Sequence, residues 1–432
     1  MQLLGNITIE NNELLIGNVS TASLVERFGT PLFVLDENLI REKCRKYAKA
    51  FKIETGNKVA YAGKAFLTLA MCEIIKEENL NLDVVSGGEL YTAYKSNFPM
   101  DKIYFHGNNK SYEEIKLGLD LGIGRFVVDN IYELRTINEI AMSLSKTQDI
   151  LLRITPGIEA HTHEYIKTGQ IDSKFGFNIL SHNLFNIIEE IKNMKGLNLV
   201  GLHCHIGSQI FDTKGYENAI VIMTELLKKI KDEKNLSLYE LNLGGGFGIY
   251  YSDTDDPLSI EDFCEIILAR VKENCERLDL SLPKLIIEPG RSIIGNAGTT
   301  LYKIGAIKEI PGIRKYISVD GGMTDNIRPS LYNASYSCIL ANKAANPIEE
   351  TVTIAGKCCE SGDILIHNVD IPKVTSGDVL AVLSTGAYCY SMSSNYNKAP
   401  KPAIVLVKEG KSKLICKRES FEDIIKNEIT IN

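Results

Sequence analysis

Long apolar runs, paired cysteines and a leader-like N-terminus are all missing from this sequence. No stretch offers the roughly 18 apolar residues that cross a bilayer, so we expect no membrane partner. The N-terminal segment MQLLGNITIENNELLIG has no basic region and no unbroken apolar core, so we expect no signal peptide. The ten cysteines form no CxxC pair, which is typical of reduced thiols in a cytoplasmic protein.

A surplus of basic charge is missing too. The 48 Lys and Arg are outnumbered by 55 Asp and Glu, the formal net charge is -7, and the basic residues are dispersed. Proteins that bind nucleic acid usually gather basic residues into one stripe, so we expect no nucleic-acid partner. At 432 residues the chain is too long for one compact core, and we expect two domains.

The middle of the chain alternates short, β-branched apolar runs with helical patterns. Apolar runs of this kind indicate strands buried on both faces, as in a parallel sheet. We therefore predict an α/β architecture, a (β/α)8 TIM-type barrel over residues 31–295, with a doubly wound open sheet as the alternative. The eight candidate strands are 58–62, 82–85, 103–106, 125–128, 150–154, 199–205, 239–243 and 284–288.

After about residue 295 the pattern changes to short strands separated by Gly, Pro and Ser turns, which predicts an all-β domain of the sandwich or barrel type. The N-terminal segments ITIE and ELLIG also resemble strands. We expect a discontinuous β domain, residues 1–30 and 296–432, that completes the substrate site. Its further strand candidates are 352–354, 363–366, 379–382, 403–407 and 413–416.

Polar groups follow five of the eight predicted barrel strands, at the end where barrel active sites lie. Lys64 follows the first strand, and the segment Ser86–Glu89 follows the second. His205 and Ser208 follow the sixth strand, and Glu288 follows the eighth. The seventh strand runs into the glycine-rich loop Gly244–Gly248. Glycines let several backbone N–H groups approach an anion, although a tight turn without a ligand explains the loop equally well.

Lys64 lies in the apolar stretch YAGKAFLTLA. In an apolar pocket the pKa of a lysine falls, which suits an amine that must attack an aldehyde. We therefore expect Lys64 to hold pyridoxal 5′-phosphate (PLP) as a Schiff base. PLP also needs a carboxylate at its pyridinium nitrogen, for which Glu288 is placed, and a flat group over its ring, for which His205 is placed. Taken alone, Lys64 is better explained as a solvated loop charge.

The pair His203 and His205 has a rival interpretation. Residues i and i+2 of a strand share a face, and two histidines so placed can bind a metal ion, with His161 and His163 as further ligands. A metal-dependent barrel hydrolase is thus the second hypothesis. It leaves Lys64 and the glycine loop unexplained.

Eight segments, in order, resemble the fold-type III PLP-dependent decarboxylases, the alanine-racemase-like barrel group, and within that group the diaminopimelate decarboxylase family. The segments are YAGKAF, HEYIKTGQIDSKFGF, GLHCHIGSQI, LNLGGGFGI, EPGRS, RPSLY, CCESGD and GAYCYSMSSNYN. The resemblance implies decarboxylation of meso-2,6-diaminopimelate to L-lysine and CO2, the last step of lysine biosynthesis. It also implies PLP as the cofactor, no metal, and a cytoplasmic homodimer whose active sites are shared between subunits.

The resemblance further implies roles for individual residues. Lys64 carries PLP, His205 stacks on the ring, and Glu288 binds the pyridine nitrogen. Cys359 donates a proton and is offered from the partner subunit. The other cofactor residues implied are Ser208, Gly245, Gly246, Gly290, Arg291 and Tyr388. The substrate residues implied are Arg291, Arg328, Tyr332, Glu360 and Tyr388.

The substrate implied carries an ammonium and a carboxylate at each end. Its distal end therefore needs an acid, Glu360, and arginines, Arg291 and Arg328, whereas ornithine offers no distal carboxylate for a cation to bind. Decarboxylases of ornithine, arginine or carboxynorspermidine are the alternatives, together with a non-catalytic regulator of the same fold. Two departures from the family pattern are Cys389, where a glycine is expected, and the doubled thiol of CCESGD.

Overall fold

The structure, a computed structural model, describes residues 2–157, 172–179 and 183–431. It divides into two compact units, which we call the barrel unit and the β unit. The barrel unit consists of Lys43–Gly248 and Pro257–Gly290, and the β unit of Met1–Glu42, Ile249–Asp256 and Arg291–Asn432. Among the helices of the described ranges, none is both long enough and apolar enough to cross a membrane.

The N-terminal part of the β unit contains a small antiparallel sheet, a helix and a separate strand. The elements are β1 (Ile7–Glu10), β2 (Glu13–Ile16), β3 (Val19–Ser20), α1 (Thr21–Phe28) and β4 (Leu32–Asp36). β1 and β2 correspond to the predicted strands ITIE and ELLIG and pair antiparallel. Ser20 begins α1 as an N-cap, because its side chain accepts a hydrogen bond from the N–H of Ser23.

The barrel unit contains the alternating strands and helices predicted from the sequence. The strands are β5 (Lys58–Ala62), β6 (Asn81–Val84), β7 (Ile103–Phe105), β8 (Arg125–Val128), β9 (Gln148–Thr155), β10 (Phe177–Asn178), β11 (Leu197–His203), β12 (Glu240–Asn242) and β13 (Lys284–Ile287). The helices are α2 (Glu37–Ala50), α3 (Leu69–Glu77), α4 (Gly87–Lys95), α5 (Tyr112–Leu121), α6 (Ile131–Ser143), α7 (Leu184–Lys192), α8 (Lys214–Lys234) and α9 (Ile260–Arg277).

Eight of these strands close into a parallel barrel. β5 to β9 pair in sequence, β9 continues through β11 and β12 to β13, and β13 pairs with β5. Apolar side chains fill the interior, as in other barrels of this type. The interior cluster consists of Ala60, Tyr104, Val127, Leu151, Val200 and Ile286. The prediction of a (β/α)8 barrel is therefore confirmed, and the open sheet is excluded.

The C-terminal part of the β unit is dominated by strands. Its elements are α10 (Arg291–Ile294), β14 (Gly298–Ile310), β15 (Arg314–Val319), α11 (Arg328–Tyr332), β16 (Cys338–Leu340), β17 (Glu350–Ala355), β18 (Ile364–Ile371), β19 (Val379–Leu383), β20 (Ala403–Lys408), β21 (Lys411–Cys416) and α12 (Phe421–Ile425). They form a sheet in the order β18-β17-β15-β14-β4-β20-β21, with β19 pairing with β14 and β16.

The position of β4 differs from the prediction. We had placed residue 31 onward in the barrel, but β4 pairs antiparallel with β14 and parallel with β20 in the β unit. All five of its residues are buried, so its sequence LFVLD has the apolar character of a barrel strand. Its pairing partners, which are distant in the chain, decide its place.

Candidate active site

Lys64 lies in a one-turn helix, Gly63–Ala65, directly after β5. The hydroxyl of Tyr61 donates to the carbonyl oxygen of Phe66 at 2.7 Å and so ties the turn to the strand end. The side chain of Lys64 is exposed, whereas its neighbours Gly63 and Ala65 are buried. The apolar stretch around Lys64 therefore buries the flanking residues and leaves the lysine exposed.

Glu288 follows β13 and is a buried carboxylate surrounded by donors. Nδ2 of Asn242 donates to its Oε1 at 2.6 Å, Nε2 of His106 lies 2.8 Å from the same oxygen, and Nε2 of His203 lies 3.2 Å from Oε2. Burial alone raises the pKa of Glu288, but His106 and His203 overcome this effect and hold it well below its ordinary value. Glu288 is therefore ionised at neutral pH.

His106 is a member of this cluster that the sequence analysis missed. It directly follows β7, and its ring meets that of His203 edge-on, with the centroids 4.9 Å apart. Its Nε2 also lies 3.7 Å from Oδ1 of Asp83. Burial raises the pKa of Asp83 to about 6, and His106 opposes that rise. The one signal in the sequence was the position of His106 at the carboxyl end of a barrel strand.

His205 offers a neutral, flat ring. Burial, helped by the charge of Lys64, lowers the pKa of His205 well below its ordinary value. The backbone N–H of Gly245 donates to Nδ1 of His205 at 3.3 Å, so the ring proton is assigned to Nε2. The neighbouring His203 is also neutral, because burial lowers its pKa to about 4.

The glycine loop approaches its neighbours too closely for any larger residue. A Cβ on Gly245 would lie 2.0 Å from the carbonyl oxygen of Glu288, and one on Gly246 would lie 2.2 Å from that of Gly207. Gly246 also has a φ of +113°, which favours glycine. The hydroxyl of Tyr216 donates to the carbonyl oxygen of Gly245 at 2.5 Å and anchors the loop.

These residues of the barrel unit fit PLP. A carboxylate can accept about four hydrogen bonds, so the three close contacts of Glu288 leave room for a pyridinium N–H. The neutral ring of His205 can lie against a cofactor ring, and the glycine loop after β12 is of the kind that cradles a phosphate. Lys64 supplies the exposed amine. Ser208 is half-buried and Gly290 is buried at the end of β13.

The metal hypothesis finds a different set of residues. It paired His203 with His205, whereas the structure brings His203 together with His106 and Glu288, whose ligand atoms lie within 4.8 Å of one another. The three groups also contact one another directly, since Nε2 of His106 lies 2.8 Å and Nε2 of His203 lies 3.2 Å from the carboxylate of Glu288. His161 and His163 lie outside the described residues, as does most of the segment HEYIKTGQIDSKFGF.

The β unit holds a buried cluster of two arginines and several tyrosines. Nη1 of Arg291 donates to the hydroxyl of Tyr251 at 2.7 Å, and Nη1 of Arg328 donates to the same hydroxyl at 3.0 Å. Arg328 also donates to Tyr336 at 3.2 Å and lies over the ring of Tyr332. Arg291 is 6% and Arg328 8% exposed. Two of the predicted substrate residues therefore converge on one hydroxyl, Tyr251, which was not predicted.

Arg328 carries its charge without a carboxylate. Burial lowers its pKa, but the hydroxyls of Tyr251 and Tyr336 raise it above its ordinary value. Within the described part of the chain, no carboxylate lies at ion-pair distance from Arg328. Burying a guanidinium in this way costs several kcal/mol. The arrangement therefore suits an anionic ligand.

Tyr388 and Cys389 border this cluster. Tyr388 has a φ of +60°, a conformation that side chains rarely adopt, and its ring centroid lies 4.8 Å from the guanidinium carbon of Arg291. Cys389, which replaces the expected glycine, is fully buried with its Sγ 3.4 Å from the hydroxyl of Tyr336. Its thiol therefore fills space beside the arginines.

Cys359 and Glu360 lie apart from these buried groups, in an exposed turn of the β unit. Asp363 stabilises the turn, because its carboxylate accepts hydrogen bonds from the backbone N–H of Cys358 at 2.8 Å and from that of Met323 at 2.7 Å. Burial raises the pKa of the Cys358 thiol to about 11. The doubled cysteine therefore has one exposed and one partly covered member.

Comparison with known proteins agrees with this geometry. Residues 37–295 match the family model of the pyridoxal-dependent decarboxylases, pyridoxal binding domain. The chain is 51% identical to diaminopimelate decarboxylase of Bacillus subtilis (strain 168), over 96% of this chain and 95% of that protein. It is 46% identical to the enzyme of the same name from Staphylococcus aureus (strain COL), over 97% of this chain and 98% of that protein.

A solved structure matches over nearly the whole chain as well. The crystal structure of diaminopimelate decarboxylase from M. jannaschii superposes with a TM-score of 0.92 at 38% identity and covers 98% of both chains. The same protein has been crystallised with L-lysine. These matches confirm the resemblance drawn from the sequence. The chain belongs to the diaminopimelate decarboxylase family of the pyridoxal-dependent decarboxylases.

Proposed function

We propose that this protein removes CO2 from meso-2,6-diaminopimelate to give L-lysine, with PLP held at Lys64. The observation that carries this substrate is the buried pair Arg291 and Arg328, which converge on the hydroxyl of Tyr251. A substrate without a distal carboxylate, such as ornithine, would leave the charge of Arg328 buried without an anion. The names of the relatives support the same reaction.

The barrel unit provides the cofactor half of the proposed site. PLP, when bound, supplies an electron sink for the charge left on the substrate carbon as CO2 departs. Glu288, held ionised by His106 and His203, would keep the proton on the ring nitrogen of the bound cofactor. His205 would cover one face of the ring. The phosphate would be held by Ser208, Gly245, Gly246, Gly290 and Arg291, partly through backbone N–H groups, so the guanidinium of Arg291 remains available to the substrate.

The β unit provides the substrate residues in this proposal. Arg291 and Arg328 bind the distal carboxylate, with Tyr332 and Tyr388 beside them, while Glu360 binds the distal ammonium. Cys359 returns a proton to the reacting carbon. The exposure of Cys359 and Glu360 supports a homodimer in which this turn serves the partner's site. The free thiols of all ten cysteines support a reducing, cytoplasmic location.

Covalent labelling tests the cofactor. The purified protein is expected to be yellow, and borohydride reduction should fix the mass of a pyridoxyl group on the peptide that contains Lys64. Lys64→Arg should lose the label, whereas Lys95→Arg, on the outside of α4, should keep it. A colourless protein that cannot be reconstituted with PLP would refute the proposal.

Release of CO2 from meso-diaminopimelate, ornithine, arginine and carboxynorspermidine tests the substrate. Arg328→Met should lower kcat/KM for diaminopimelate by about 100-fold or more, since charged hydrogen bonds contribute about 1.5–3 kcal/mol each. Arg314→Met is the control, because Arg314 also donates to a tyrosine hydroxyl, that of Tyr316 at 3.2 Å, but on β15 and outside the arginine cluster. Faster turnover of ornithine than of diaminopimelate would contradict the assignment of Arg328.

A further inference from the structure

Tyr251 lies at the centre of the arginine cluster. It belongs to none of the eight sequence motifs and is not among the residues of the proposed reaction. We propose that its hydroxyl determines specificity by donating a hydrogen bond to the distal carboxylate of the substrate. This inference rests on the proposed function and adds a third donor to the two arginines.

Given the hydrogen bonds that Tyr251 already makes, its hydroxyl proton can pair only with a group that accepts hydrogen bonds. A phenolic hydroxyl has two acceptor lone pairs and one proton. Arg291 and Arg328 donate to its oxygen at 2.7 and 3.0 Å, so both lone pairs are used. Its own proton cannot point at either guanidinium, because these groups only donate. No other described residue accepts the proton. A carboxylate, which only accepts, fits a place lined by three donors.

The hydroxyl is also held firmly in position. The backbone N–H of Tyr251 donates to Oδ2 of Asp255 at 3.0 Å, and its carbonyl oxygen accepts from Oγ of Ser337 at 2.9 Å. Its ring packs edge-on against Tyr336, with the centroids 5.4 Å apart, and the residue is 7% exposed. A donor fixed in this way loses little further freedom when a ligand binds.

The same arrangement discriminates against amino acids without a distal carboxylate. An ammonium group has only protons to donate, so it would meet three donors and no acceptor at this place. Sites built from buried polar groups reject ligands that leave those groups unpaired. Tyr251 would therefore strengthen the preference for diaminopimelate over ornithine that the arginines establish.

Two ligands and a matched pair of tyrosines test the inference in the PLP-loaded protein. L-Lysine keeps the distal carboxylate of the substrate, whereas 1,5-diaminopentane is the same molecule without it. Tyr251→Phe keeps the ring and removes the hydroxyl. Tyr250→Phe is the control, because the Tyr250 hydroxyl donates to Asp253 and accepts from the N–H of Gln2, outside the cluster. Dissociation constants are measured from the visible absorbance, and folding from Tm.

Tyr251→Phe should weaken lysine binding by about 10- to 100-fold, as expected for loss of a hydrogen bond to a charged group. Binding of 1,5-diaminopentane should change less than about twofold by the same reasoning. KM for diaminopimelate should rise more than kcat falls. Tyr250→Phe should behave like the unaltered protein towards both ligands.

A second variant separates donation from mere positioning of the arginines. Tyr336→Phe removes an acceptor of Arg328 but not the proposed donor, so it should weaken lysine binding by a clearly smaller factor. An equal effect of both variants, equal weakening of both ligands, or no weakening of lysine binding would overturn the inference. Failure of the unaltered protein to decarboxylate diaminopimelate would instead refute the proposed function, before any variant is made.

Discussion

Replacing His106 with leucine should raise the pH below which the protein loses PLP; we call this pH the acid limit of PLP binding. His106 is the larger of the two influences that lower the pKa of Glu288, and its Nε2 lies 2.8 Å from Oε1 of that carboxylate. A hydrogen bond to a charged group contributes about 1.5–3 kcal/mol, which corresponds to a rise of about one to two units in the pKa of Glu288. The variant would then lose PLP affinity at a higher pH than the unaltered protein.

The sign of the stability change follows from proton linkage. The pKa of Glu288 in the folded protein lies well below its ordinary value, so the ionised group stabilises the fold at neutral pH and this contribution is lost as the pH falls through the folded value. His106→Leu raises the folded value. The variant without cofactor should therefore have a lower Tm at pH 7, and the difference should narrow as the pH falls through the two values.

The assay is a titration of the cofactor-free protein with PLP, followed by visible absorbance, at a series of pH values. His367→Leu is the control, because His367 lies exposed on β18, away from any carboxylate cluster described above. An acid limit that stays where it is in the unaltered protein would refute the reasoning. It would mean that His203 and Asn242 suffice to keep Glu288 ionised.

Two further predictions concern the thiol pair and the glycine loop. Cys359→Ala should keep the PLP absorbance but slow turnover by about 100-fold or more, as expected for loss of a proton donor. Cys358→Ala should leave turnover unchanged. Slow turnover of Cys358→Ala with normal turnover of Cys359→Ala would assign the donor role to Cys358. Gly245→Ala should abolish PLP binding, because its Cβ would lie 2.0 Å from the carbonyl oxygen of Glu288. Gly88→Ala should bind PLP normally, because the nearest atom that its Cβ would meet outside the backbone of its own helix is Oγ of Ser86, at 3.7 Å. Equal PLP affinity of the two variants would contradict this account.

The barrel strands could be predicted from the sequence to within two residues at each end. β8 was predicted with its observed bounds, Arg125–Val128, and three of its four residues are buried. A strand that is buried on both faces has to be apolar throughout, and a polar turn or helix start follows it. Sequence and burial therefore carry the same information in this part of the chain.

The β unit was harder to predict, for two physical reasons. β14 is buried over its first five residues and then mostly exposed, with charged residues such as Lys308 and Glu309. The sequence of its long second half therefore resembles that of a loop. β4 has the opposite property, since its buried run resembles a barrel strand. Which sheet a strand joins depends on partners far along the chain, and a local pattern does not encode them.

The site residues divide in the same way. Lys64 and Glu288 could be found because each follows a recognisable strand, and the sequence motifs around them are specific. His106 and Tyr251 could not. A single histidine after β7 gains its meaning only from its contact with Glu288. In the sequence GIYYSD, folding alone decides that Tyr251 is buried between two arginines while Tyr250 bonds to Asp253 near the surface.

The two units have different roles in the proposed function, one in cofactor binding and the other in substrate selection. The ionised Glu288, the neutral His205 and the glycine loop would hold the cofactor, and any amino-acid decarboxylase that uses PLP has the same need. In the proposed function, the buried donors of the β unit select the substrate. Arg328, which no carboxylate of the described residues neutralises, and Tyr251, whose lone pairs are both used, favour a ligand that only accepts hydrogen bonds. In the proposed function, substrate choice therefore depends on charges that are costly to bury, because their cost would be offset when a distal carboxylate binds.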